Sequence, residues 1–129
     1  MTWQFTSADS PVSGARLPRL MYASYGSEGM ALNLQCEAGT MYARLWRGER
    51  RERWPFSLQS GVTRADLAGT TDGESEVVVT AAMPVAAPVL AAFRESGDLT
   101  LVDHDTTVIM DAIDNAERQA IADFFAACR

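Results

Sequence analysis

The stretch Ala31–Trp46, ALNLQCEAGTMYARLW, decides how this chain folds. Two strand-like runs flank Glu37-Ala38-Gly39-Thr40, a glycine-containing connection of hairpin length. With those residues as the loop, Cys36 opposes Met41, Leu34 opposes Ala43 and Leu32 opposes Leu45. Side chains alternate along a strand, so these six share one face. The other face carries Asn33, Gln35, Tyr42, Arg44 and Trp46. An apolar face backed by a mixed one predicts an antiparallel sheet covered on one side only.

The cover comes from the far end of the chain. Asp114, with Glu117 three residues on, makes a capping-box-like helix start. Ala120, Ile121, Phe124, Phe125 and Cys128 then recur at helical spacing, while Arg118, Gln119 and Asp123 fall off that stripe. Arg129 suits the negative pole of the helix dipole.

Between these anchors the pattern is of local strands and turns. Trp3 and Phe5 lie in a short edge strand or tethered arm before the polar run Thr6–Pro11. Leu20–Tyr25 reads as a strand leading into the turn Gly26–Gly29. Phe56–Leu67 supplies one further, weakly alternating strand, and Thr70–Ser75 a turn punctuated by Asp-Gly. Glu76–Met83 is β-branched at its start and predicts a strand. Pro88 suits the first turn of a short helix over Val89–Glu95 that buries Val89, Leu90 and Phe93, with Gly97 as its stop. Leu99–Val102 and Thr107–Ala112 are two more strands about Asp103-His104-Asp105. The expected fold is therefore α+β: an antiparallel sheet of about six strands, the C-terminal helix on one face and one further short helix.

A length of 129 residues predicts a single domain, 1–129, able to bury roughly two-thirds of its unfolded surface. No apolar run approaches the roughly 20 residues of a membrane-spanning helix, so no membrane insertion is expected. The net charge of −6 disfavours a general affinity for nucleic acid or anionic membrane. All eleven positive charges are arginine. Two cysteines, Cys36 and Cys128, would be joined in an exported protein and reduced in the cytosol. No basic start or apolar segment precedes Trp3, as expected of a cytosolic protein or of a mature domain whose leader has been removed.

Two clusters carry residue types capable of chemistry. Five of the eleven arginines lie between positions 44 and 53, beside Trp46 and Trp54, and Glu49 and Glu52 interrupt them. Charge runs of mixed sign usually face water, but arginine among aromatics is also an anchor for acidic partners. Asp103-His104-Asp105, with Asp98, Asp111 and Asp114 near it in sequence, could serve a small enzyme or a metal site. With one histidine and no recognised ligand spacing, it reads as a polar hairpin tip, and no metal or other cofactor is expected. There is no Gly-x-Ser-x-Gly elbow and no Cys-x-x-Cys pair, so no catalytic residue is assigned. Met21, Met30, Met41, Met83 and Met110 are spread among strands and turns as core filling.

The order of features resembles a group of small exported bacterial proteins of unknown function, nearest the VasI-type family associated with type VI secretion. The matching points are Trp3, Asp9-Ser10-Pro11, and Leu32-Asn33-Leu34-Gln35-Cys36 opening a hairpin. They continue with Phe93-Arg94-Glu95-Ser96-Gly97-Asp98-Leu99 and a last helix ending on Cys128. The resemblance implies an extracytoplasmic, periplasmic location and a disulfide. A Cys36–Cys128 bridge is expected, since both residues also fall on the apolar faces that stack together. The expected function is a non-catalytic accessory or binding module of the bacterial cell envelope, with an acidic protein as partner. The partner surface would comprise Tyr42, Arg44 and Trp46, with Arg47 and Trp54 close by. The alternatives are an enzyme or metal-binding protein using Asp103–Asp105, and a carrier with a pocket between helix and sheet.

Overall fold

The computed structural model describes residues 1–10, 13–24, 30–47, 50–72, 77–104 and 106–128. The turn expected at Gly26–Gly29, the Gly73–Ser75 part of the turn expected over Thr70–Ser75, and also Pro11, Asp105 and Arg129, lie outside them; Thr70–Asp72 are strand and not turn. Chain order runs β1 (Thr2–Asp9), β2 (Arg16–Ala23), β3 (Met30–Glu37), β4 (Thr40–Arg47), β5 (Trp54–Ser60), β6 (Thr63–Asp72) and β7 (Val77–Pro84). Helix α1 (Pro88–Ser96), β8 (Asp98–Asp103), β9 (Thr106–Asp111) and helix α2 (Asn115–Ala127) complete it.

The fold is mostly β, which corrects the α+β expectation of about six strands. Among the described residues, nine antiparallel strands form one curled half-barrel sheet in the order β1-β2-β3-β4-β7-β6-β5-β8-β9. One source of the shortfall is Phe56–Leu67, which is two strands and not one. Ser60 pairs with Thr63, and Gly61 makes the turn between them at φ 60°. A reversal inside a short run destroys its alternation, which is why the period is weak there. The Trp3 arm is also a full strand, paired with β2 from Thr2↔Ala23 to Asp9↔Arg16.

The central hairpin has the expected register, with Cys36 opposite Met41 and Leu34 opposite Ala43. It closes one pair tighter, Glu37 on Thr40, around Ala38 and Gly39 at φ 51° and 82°. Positive φ at both central residues matches the right-handed twist of the flanking strands. Leu32, Leu34, Cys36, Met41, Ala43 and Leu45 are all buried on the inner face. Both helices lie on the inner side of the sheet but pack chiefly beside the hairpin and not on it as expected: α2 packs on β1 and β2, and α1 on β5 and β6. Phe93 meets Trp3 at 4.9 Å between ring centroids, and Phe124 meets Phe5 at 6.4 Å. A disulfide joins Cys36 to Cys128, with 5.6 Å between their Cα atoms, and ties the end of α2 to β3.

Curling brings the two sheet edges, β1 and β9, together at the start of α2. The Trp3 indole N–H donates to the Met110 carbonyl of β9 at 2.8 Å. Glu117, itself buried, accepts from the Trp3 backbone N–H and from that of Ile113, each at 2.9 Å. Asp114 caps the same helix by accepting from the Glu117 N–H at 2.9 Å. Edge strands carry unpaired backbone groups, and here a carboxylate and an indole occupy some of them. Burial raises the Tyr22 phenol above its ordinary value, and the charges of Glu117 and Asp111 raise it further.

Candidate functional site

Strand alternation sends Tyr42, Arg44 and Trp46 to the outer face, where each is partly buried. Arg47 and Trp54, expected near them, lie elsewhere. Arg47 follows Leu45 in the inward phase of β4, and its Nε donates to Asp103 Oδ2 at 2.6 Å. Trp54 opens β5 and is buried, its indole N–H donating to Asp103 Oδ1 at 2.8 Å. Arg51 lies with its guanidinium carbon 4.6 Å from the Trp54 ring centroid, and its Nη1 is in hydrogen-bond reach of His104 Nε2.

The arginine-rich segment and the end of β8, read separately in sequence, thus form one clasp. Asp103 is buried with both oxygens engaged, so it works as a strut between β4, β5 and β8. His104 is exposed in the β8–β9 turn at φ 52°. Among the described residues no group of three or more His, Cys, Asp or Glu side chains could hold a metal ion. Cys36 is held in the disulfide, so its thiol is not free to pair with His104.

The outer face of β2, β3 and β4 assembles a different group. Arg19 on β2 stands opposite Gln35 on β3, and Gln35 stands opposite Tyr42 on β4. Two residues further along, Met21, Asn33 and Arg44 form the next cross-strand row on this face. Arg44 Nη1 donates to Gln35 Oε1 at 3.0 Å, and the Gln35 amide donates to the Ala8 carbonyl at 3.2 Å. The Arg44 guanidinium carbon is 5.6 Å from the Tyr42 ring centroid, a cation–π approach. Asn33 and Gln35 are buried although they face outward, and Arg44 reaches across to Gln35 from β4.

Electrostatics set this face apart. The ion pairs between described residues are Arg16–Asp9, Arg47–Asp103 and Arg64–Asp66, and none involves Arg19 or Arg44. Burial lowers the Arg19 guanidinium from its ordinary value. It lowers Arg44 as well, with the Arg19 charge pushing the same way and Tyr42 opposing. Sequence reasoning placed Asn33 and Gln35 beside Tyr42 and Arg44 but missed Arg19. The signal was present: Arg19 precedes Leu20, whose inward pairing with Leu34 sends its neighbour outward.

A carrier would need a cavity between helix and sheet. An open groove of about 550 Å³ runs beside α1, lined by Gly39, Val85, Leu90, Arg94, Phe125 and Cys128 among others. Arg94 lies 5.8 Å from the Phe125 ring centroid, and among the described residues no cluster of titratable groups converges there. Among the described residues no helix is long and apolar enough to cross a membrane. Compared with protein-family models, curated proteins and solved structures, the chain matches none.

Proposed function

We propose that this chain is a non-catalytic binding module of the bacterial cell envelope, taking an acidic protein partner on the outer face of β3–β4 through Tyr42, Arg44 and Trp46. The observation that carries this reading is the setting of Arg44. It is partly buried against Tyr42, held by a neutral glutamine, and paired with no carboxylate among the described residues. Arginine beside tyrosine and tryptophan joins large apolar area to a charged handle, the composition of interface anchors. On a chain of net charge −6, such a basic aromatic patch favours acidic partners locally while the remaining surface disfavours polyanions in general. The Cys36–Cys128 disulfide and the resemblance to exported bacterial proteins support an extracytoplasmic, periplasmic location.

The test is calorimetric titration of the purified protein with an aspartate- and glutamate-rich decapeptide, at low and high salt. Binding is expected, weakening as salt rises. The double variant Arg44→Ala, Trp46→Ala should keep the wild-type circular dichroism and bind roughly tenfold weaker or worse, about 1.4 kcal/mol. Absence of binding by the wild type, or undiminished binding by the variant, overturns the reading.

A further inference from the structure

The face assigned to the partner holds a second arginine, and its surroundings narrow what the partner must present. We propose that Arg19 and Arg44 together seat one peptide carboxylate over β3, with Asn33 accepting the peptide N–H beside it. This rests on the outer-face reading above and adds to it a ligand group and two residues.

The two guanidinium groups reach β3 from opposite sides. Arg19 stands directly across from Gln35, and Arg44 stretches diagonally to that same Gln35. Arg19 Nη2 is met by Met21 Sδ at 3.3 Å and Met30 Sδ at 3.8 Å. Thioether sulfur is a weak acceptor and neutralises nothing. Two like charges, partly desolvated and without a counter-ion among the described residues, disfavour each other; one anion between them relieves both. A guanidinium presents a planar fork of donors that matches carboxylate oxygens.

Two polar atoms on this face are buried without a partner: the donor Arg19 Nε and the acceptor Asn33 Oδ1. Buried polar groups are nearly always paired, so each points to something that completes it. A carboxylate oxygen answers the donor. The acceptor calls for an N–H close to that carboxylate, which a peptide carries on its own backbone and inorganic phosphate lacks. Aspartate side chains and peptide C-termini share this chemistry.

The experiment titrates wild type, Arg19→Met, Arg19→Gln and Arg44→Gln with three probes. These are an aspartate-rich decapeptide with an amidated C-terminus, a neutral decapeptide with a free C-terminus, and inorganic phosphate. Binding of the first probe assigns the carboxylate to a side chain, and of the second to a terminus; either supports the proposal. Both Arg19 variants should lose roughly tenfold or more in affinity, as Arg44→Gln does. Without added anion, at low salt, they should melt no lower than the wild type, because an uncompensated charge has gone. Unchanged binding by both Arg19 variants beside a loss in Arg44→Gln sinks this inference and leaves the outer-face function standing. Phosphate bound more tightly than either peptide overturns the carboxylate assignment. A wild type that binds none of the three sinks both readings.

Discussion

Two buried carboxylates show how much a single residue can hold. Glu117 accepts backbone N–H groups from Trp3 and Ile113, which belong to opposite ends of the chain. Glu117→Gln turns one accepting oxygen into an N–H donor facing another donor. Hydrogen bonds to a charged group contribute about 1.5–3 kcal/mol, so a loss of about 2 kcal/mol in urea unfolding is expected. Asp103 is the second case. Asp103→Ala leaves the Trp54 indole N–H and the Arg47 guanidinium without their acceptor. The Arg47 side chain keeps 23 % exposure, so water offsets part of the cost. A loss of about 3 kcal/mol is expected, at the low end for breaking a buried pair. Near-native stability in either variant would remove that residue from its assigned role.

At the scale of hairpins, two carboxylates titrate in opposite senses. Glu37 accepts from the Ser13 and Ser10 hydroxyls, and these bonds, Ser13 first, hold it below its ordinary value of 4.5. Its stabilising contribution is therefore complete above that value and is lost as pH falls through the lower folded one. Asp111 is the reverse. Burial, then the charge of Asp98 directly across β8–β9, raises it above 3.8. The folded state holds that proton more tightly, so this contribution is present below 3.8 and disappears as pH rises through the folded value. Like charges opposite each other in a sheet are mildly destabilising, so Asp111→Asn should stabilise at pH 7 by about 0.2–1 kcal/mol. Urea midpoints at neutral and acid pH check both signs. The gain from Asp111→Asn should shrink in acid, and Glu37→Gln should lose stability at neutral pH only.

At the scale of the molecule, the disulfide joins strand and helix across a sequence separation of 92. Closing so long a loop restricts the unfolded chain and contributes about 4–5 kcal/mol on the chain-entropy model. The double variant Cys36→Ser, Cys128→Ser should therefore melt roughly 10 °C or more below the oxidised protein. Scanning calorimetry with and without reductant provides the comparison. Thiol titration of denatured, unreduced protein should find no reactive group.

The chain announced its central hairpin because an alternating apolar face and a glycine turn are local properties, complete within Ala31–Trp46. The last helix was legible for the same reason, from the Asp114–Glu117 start and the stripe ending on Cys128. Those two faces together also sufficed to place the cysteines against each other. Three features were not legible. The split of Phe56–Leu67 hides behind a turn that erases its own period. The strand order puts β5 beside β8, so that Asp103 meets Arg47, 56 positions away, and Trp54, 49 away. The flanking of Gln35 by Arg19 on β2 and Arg44 on β4 needs two strands to pair with β3 from opposite sides. Periodicity fixes which face a side chain takes within its own strand. Which residue it meets there depends on long-range pairing and on the curl of the sheet, and only the folded chain decides those.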